Sequence, residues 1–113
     1  MLDSGEMRTV FFGTPEFAVP TLARLVASRH EVALVVSKPD QPVGRHQELT
    51  APPVVDEARR HGLPVRQPKG LKNERFAAEL AEVGADVAVV VAYGKLIPVE
   101  LLAVPRLGFV NLH

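Results

Sequence analysis

One hundred and thirteen residues suffice for one compact domain and not for two. Thirteen basic and 13 acidic side chains cancel, so no global positive field draws the chain onto a polyanion, and the absence of Cys excludes disulfides and thiolate metal sites. Apolar residues make up 47% of the chain, the level of a globular protein rather than a disordered or fibrous one.

The opening MLDSGEMRTV has no basic segment followed by a long apolar run, so it does not read as a signal peptide. The longest apolar run, VAVVVAY at 87–93, is too short to span a bilayer. A soluble cytoplasmic protein with no membrane partner is expected. Residues 1–6 read as a disordered leader and 7–113 as the domain. TVFF (9–12), closed by Gly13, reads as a buried strand. In the helix that follows, over 14–28, Thr14 is the expected N-cap and Pro15 the first helical residue. Phe17, Leu22, Leu25 and Val26 fall at helical spacing and are expected to face the sheet. EVALVVS (31–37) is apolar at nearly every position, as in parallel strands covered on both faces. Residues 38–53 read as a long Pro- and Gly-containing loop, 54–62 as a short helix ending at Gly62, and 63–68 as a brief strand. A helix over 73–84 turns Phe76, Leu80 and Val83 inward. ADVAVVVAYG (85–94) is the strongest strand, 98–103 a helical turn or two, and GFVNL (108–112) a fifth strand. Alternating strands and helices predict an α/β fold with a doubly wound, mainly parallel sheet. The last strand has no helix of its own, so the chain reads as the front part of something longer.

In open α/β sheets ligands bind beyond the carboxyl ends of the strands. GTPEF lacks the later glycines of a dinucleotide fingerprint, which argues against NAD. It reads either as a helix start facing a polar ligand group or as an ordinary tight turn. The 38–50 loop balances Lys38 and Arg45 against Asp40 and Glu48. It reads as a solvated loop, with Arg45 its best phosphate ligand. AYGKLIP either presents backbone groups to a flat heterocycle against an apolar wall or packs its own hydrophobes. In NLH, strand alternation sends Asn111 and His113 to one side and Leu112 into the core. An Asn amide that donates to a developing oxyanion, beside a His that moves a proton, fits acyl-type transfer between two bound substrates. The bland alternative is a polar chain end.

VFFGTPEFAVPTL, SKPDQPVGR, LPVRQP, ADVAVVVAYGKLIP and PRLGFVNLH together resemble the N-terminal part of the methionyl-tRNA formyltransferase family, over residues 7–113. The resemblance implies a Rossmann-like formyltransferase domain, with 10-formyltetrahydrofolate as formyl donor, initiator methionyl-tRNA as acceptor and no metal. It implies Asn111 and His113 as catalytic residues and Ala92, Tyr93, Gly94, Leu96 and Ile97 as the folate pocket. Gly13, Thr14, Phe17, Lys38 and Arg45 are implied on the substrate side, with Phe17 near the methionyl group and Arg45 on the acceptor stem. Relatives carry more Lys and Arg where this loop reads HQEL. The family continues beyond the Asn-x-His motif to a catalytic Asp and a C-terminal tRNA-binding barrel. By that resemblance the chain is the N-terminal part of a monomeric enzyme, expected to be inactive by itself and prone to self-associate. The alternatives are a sugar- or purine-precursor formyltransferase and a non-catalytic flavodoxin-like binding domain. A phosphoacceptor receiver would need acidic residues where Gly13-Thr14 and Gln67-Pro68 stand.

Overall fold

The computed structural model describes residues 5–112. In chain order the elements are β1 (Arg8–Gly13), a 3-10 turn (Glu16–Ala18), α1 (Val19–Ala27), β2 (Glu31–Val36), β3 (Gln41–Val43), β4 (Glu48–Thr50) and α2 (Pro53–Arg60). Then follow β5 (Val65–Arg66), α3 (Glu74–Val83), β6 (Val87–Val91), α4 (Val99–Leu102) and β7 (Phe109–Leu112). Five strands form one parallel sheet in the order β5-β2-β1-β6-β7. The chain winds from β1 outward through β2 to β5, then crosses back to lay β6 and β7 on the other side of β1. The strand order therefore switches direction between β1 and β6, the kind of place where doubly wound sheets bind ligands.

The continuous apolar runs arise because both faces of β1, β2 and β6 are covered. On one face Val10, Phe12, Leu34, Val36, Ala88 and Val90 pack under Phe76, Leu80 and Leu101 from α3 and α4. On the other, Phe11, Val35 and Val91 pack under Leu22 of α1 and Val54 and Ala58 of α2. Asn73 caps α3, its Oδ1 accepting from the Phe76 N–H at 3.1 Å, and Gly84 ends the helix at φ 66°. Such a cap contributes about 1 kcal/mol. At the sheet end remote from the strand carboxyl termini, the Arg8 N–H donates to Asp86 at 2.8 Å and the Arg106 Nε donates at 3.2 Å. Those two donors, in that order of effect, hold the Asp86 carboxyl below its ordinary range. No helix among the described residues is long and apolar enough to cross a membrane.

Four local expectations are corrected. Residues 38–53 are not a plain loop but carry an antiparallel hairpin, β3 paired with β4 from Gln41↔Thr50 to Val43↔Glu48. Its turn is closed by the Gln47 N–H and side-chain amide, which donate to the Gly44 carbonyl at 3.2 and 3.0 Å. All six strand residues are exposed, so no buried alternation marks them, and Pro42 is tolerated because the ribbon is edge on both sides. Thr14 is not an N-cap: Pro15 precedes the 3-10 turn and Thr14 spends its hydroxyl elsewhere. Phe17 does not face the sheet. It sits in the 3-10 turn, off the α-helical register that buries Leu22, and is 68% exposed. Leu112 is not in the core either: Val110 and Leu112 stand 45% and 43% exposed on the edge strand β7, with no described element laid over them.

Candidate functional site

The loop after β1, the loop after β6 and the end of β7 meet at the carboxyl edge of the sheet. Gly13 sets the spacing between the first two. A β-carbon there would stand 2.7 Å from the Phe11 ring and 2.9 Å from the Val91 carbonyl oxygen, distances no side chain tolerates. Gly13 is buried and lines no cleft, so its identity follows from close strand packing. One residue on, the Thr14 Oγ1 donates to the Tyr93 carbonyl at 2.7 Å. The β6 loop turns sharply through two left-handed positions, Ala92 at φ 49° and Gly94 at φ 94°. For Ala that conformation costs roughly 1–2 kcal/mol. Strain of this kind persists where surrounding structure enforces it, and such places cluster at functional sites.

Tyr93 borders the cleft that this loop forms, while its side chain turns into the core. Its ring is 1% exposed and stands edge-on to Phe12, with centroids 5.4 Å apart. It anchors the loop in the same aromatic cluster that holds Phe76 and Phe109. Its hydroxyl is buried without a partner among the described residues, and burial pushes its pKa up to about 12. Removing an orphaned buried hydroxyl relieves a desolvation cost of about 1–3 kcal/mol. Tyr93→Phe is therefore expected to raise the urea midpoint, and an unchanged or lower midpoint would refute this account. The sign with pH follows. The folded state favours the neutral phenol, so stability is unaffected below a pH of about 10 and falls as pH rises toward 12. Tyr93 is the chain's one tyrosine, so tyrosinate absorbance reads that titration directly.

These loops enclose a cleft of about 520 Å³ lined by Phe17, Ala92, Gly94, Leu96, Asn111 and their neighbours. Leu96, 94% exposed, and Phe17 give it apolar walls. Among the described residues, the amides of Gly94, Lys95 and Leu96, three residues that line the cleft, donate to no acceptor. Asn111 pairs in register with Val90, and its side-chain amide is likewise uncommitted at the cleft. Ile97 lies one residue beyond, in a neighbouring depression of about 480 Å³ beside Pro98. A second groove of about 630 Å³ runs between the hairpin, the start of α2 and Thr14–Val19. Lys38 lines this groove and lays its side chain across Gly94, where a β-carbon would stand 3.3 Å from Nζ. Lys38 thus marks the seam between the two recesses. Arg45 sits exposed in the hairpin turn and lines neither. His113 lies outside the described residues. Gln67, which the sequence reading did not single out, fixes the start of the hairpin. Its Nε2 donates to the Lys38 carbonyl at 3.1 Å and to Asp40 at 2.7 Å. Nothing in its local sequence marks it.

Phe17, the Ala92–Leu96 loop and Asn111 thus come together from opposite ends of the chain. The sequence pattern of the family described as "Formyl transferase" matches residues 7–113. The chain belongs to the formyl transferase family. Methionyl-tRNA formyltransferases of Lachnospira eligens and Acidobacterium capsulatum are 49% and 51% identical to it over 107 and 108 residues. Each alignment covers 95% of this chain, but only 34% and 35% of those relatives. The chain therefore spans about a third of the length of the curated relatives it matches. Among solved structures, phosphoribosylglycinamide formyltransferase from Bacillus halodurans superposes with a TM-score of 0.66 at 20% identity, over 94% of this chain and 55% of that one. Glycinamide ribonucleotide transformylase 1 from Geobacillus kaustophilus gives 0.64 at 22% identity, over 94% and 57%. At that identity these two share the formyl transferase fold, and the likeness extends no further.

Proposed function

We propose that this domain serves the transfer of a formyl group from 10-formyltetrahydrofolate to the α-amino group of methionyl-tRNA, in the cytoplasm, at the start of translation. The observation that carries the reading is the cleft beyond β6, where uncommitted backbone donors and apolar walls stand beside the Asn111 amide. A folate's flat, hydrogen-bonding ring fits such a recess: the amides of Gly94–Leu96 meet its acceptors, and Leu96 covers its apolar surface. The substrate amine attacks the formyl carbon, the bond from that carbon to the folate nitrogen breaks, and one proton moves from the amine to that nitrogen. In this reading Asn111 donates to the formyl oxygen as it gains charge, and His113 receives the amine's proton. Phe17 lies against the methionyl side chain. The hairpin reaches toward the tRNA, with Lys38 at the seam between the two recesses.

The half-identity to methionyl-tRNA formyltransferases over nearly the whole chain favours the tRNA acceptor over a sugar or purine precursor. The test is calorimetric binding of tetrahydrofolate to the purified protein, together with formyl transfer to methionyl-tRNA by the enzyme that carries this domain. Absence of folate binding sinks the reading, as does transfer to a sugar nucleotide or glycinamide ribonucleotide in place of methionyl-tRNA.

Arg45 stands on an exposed turn and does not line the cleft, so in this reading its guanidinium meets phosphate rather than reacting atoms. Arg45→Ala is expected to weaken tRNA binding by that enzyme and to reduce the slope of log affinity against log salt by about one, with kcat at saturating tRNA preserved. An unchanged slope would make the turn a bystander.

A further inference from the structure

We propose that Thr14 is a positioning residue that holds the ligand-facing loop Ala92–Leu96 in its working shape; the inference rests on the folate reading of that cleft. Three observations converge on this one side chain. Its hydroxyl donates to the Tyr93 carbonyl at 2.7 Å, bridging positions 79 residues apart in sequence. Tyr93 lies between the two left-handed residues Ala92 and Gly94, so the bonded carbonyl belongs to the tightest part of the turn. Among the described residues, the other polar tether from this loop to the body is the Lys95 ammonium on the Lys69 carbonyl, at the tip of a flexible stem.

The place of Thr14 is itself tightly set. Gly13 packs against the Val91 carbonyl where no β-carbon fits, and the Thr14 carbonyl accepts from the Val54 N–H of α2 at 3.3 Å. Thr14 therefore stands at a junction of β1, α2 and the β6 loop. The Tyr93 ring fixes the loop's depth by packing, but a ring packed on apolar neighbours leaves the peptide planes on either side free to rotate. Fixing the Tyr93 carbonyl orients the peptide plane that it shares with the Gly94 amide. That amide is the first of the uncommitted donors along the cleft. With the hydroxyl removed, the carbonyl loses its partner, the left-handed turn relaxes, and the Gly94 amide shifts with it.

Thr14→Val keeps the side chain's shape and removes its hydroxyl, whereas Thr14→Ser keeps the hydroxyl. The experiment compares both with the unaltered protein by tetrahydrofolate calorimetry and by backbone amide NMR without ligand, with thermal unfolding as a control on the fold. Thr14→Val is expected to weaken tetrahydrofolate binding roughly tenfold, the scale of one hydrogen bond. It should also shift the Ala92–Ile97 amide resonances, and Thr14→Ser should restore both. Unaltered affinity in Thr14→Val, or failure of Thr14→Ser to restore it, overturns the proposal. If the unaltered protein binds no tetrahydrofolate, the folate reading fails by itself. The ligand-free spectra then decide: Ala92–Ile97 resonances in Thr14→Val that coincide with the unaltered protein's overturn the positioning role.

Discussion

Asn111→Ala is expected to lower the kcat of the enzyme that carries this domain by roughly 10²–10³-fold while KM changes little. The side chain sits on a strand held in register with Val90, so its direction is fixed before any substrate arrives. It has no hydrogen-bond partner among the described residues and nothing to give up when it donates to an oxyanion. A donor that acts chiefly as charge develops appears in kcat rather than in binding. Steady-state kinetics on the variant check the claim, and tetrahydrofolate affinity checks that the cleft is intact. A loss confined to KM would recast Asn111 as a residue that merely holds substrate. His113→Ala is expected to behave alike, with a loss that shrinks as added imidazole supplies the proton acceptor.

Phe12→Ala is expected to remove a large share of the domain's stability. Phe12 lies on the central strand, is fully buried, and meets Phe76, Tyr93 and Phe109 at ring centroid distances of 6.5, 5.4 and 5.3 Å. Truncating a core Phe costs about 3–5 kcal/mol, against a typical net stability of about 5–15 kcal/mol. The lost ring is also the support under Tyr93, so the loop at the cleft should loosen even where the variant stays folded. Urea unfolding followed by circular dichroism tests this, with Phe12→Leu as a milder companion. A midpoint within experimental error of the unaltered protein would show that the aromatic cluster carries no such share.

The inner strands are readable from sequence because a parallel strand covered on both faces has little room for a polar residue, and 32–36 and 87–91 obey that. The α3 boundaries are equally plain, since Asn73 and Gly84 are local signals for a local event. The hairpin is hidden because its pairing buries none of its strand residues and so leaves no period-2 trace around Pro42. Thr14 misleads because its local reading as a cap loses to a partner far away in sequence, a carbonyl 79 residues on. Of the proposed site, the segments are visible in sequence, but their division into two recesses with Lys38 at the seam is not, because it depends on where the hairpin folds back.

The placement of β1 between β2 and β6 also orders events in time. Strands β1 and β2 are close in sequence and can pair early. The other edge of β1 must wait for β6, and the Arg8–Asp86 contact at that seam closes a separation of 78 residues. Closures of that span, in parallel geometry, are slow to form and leave apolar strand edges open while they wait. During synthesis β1 therefore has one neighbour until residue 91 has emerged. The cleft, whose walls come from residues 90–96 and 111–112 on one side and Phe17 on the other, has no earlier form. Formation of the cleft thus waits on the same late pairing, since the loop after β6 takes its place only once β6 has joined β1 and β7 has joined β6.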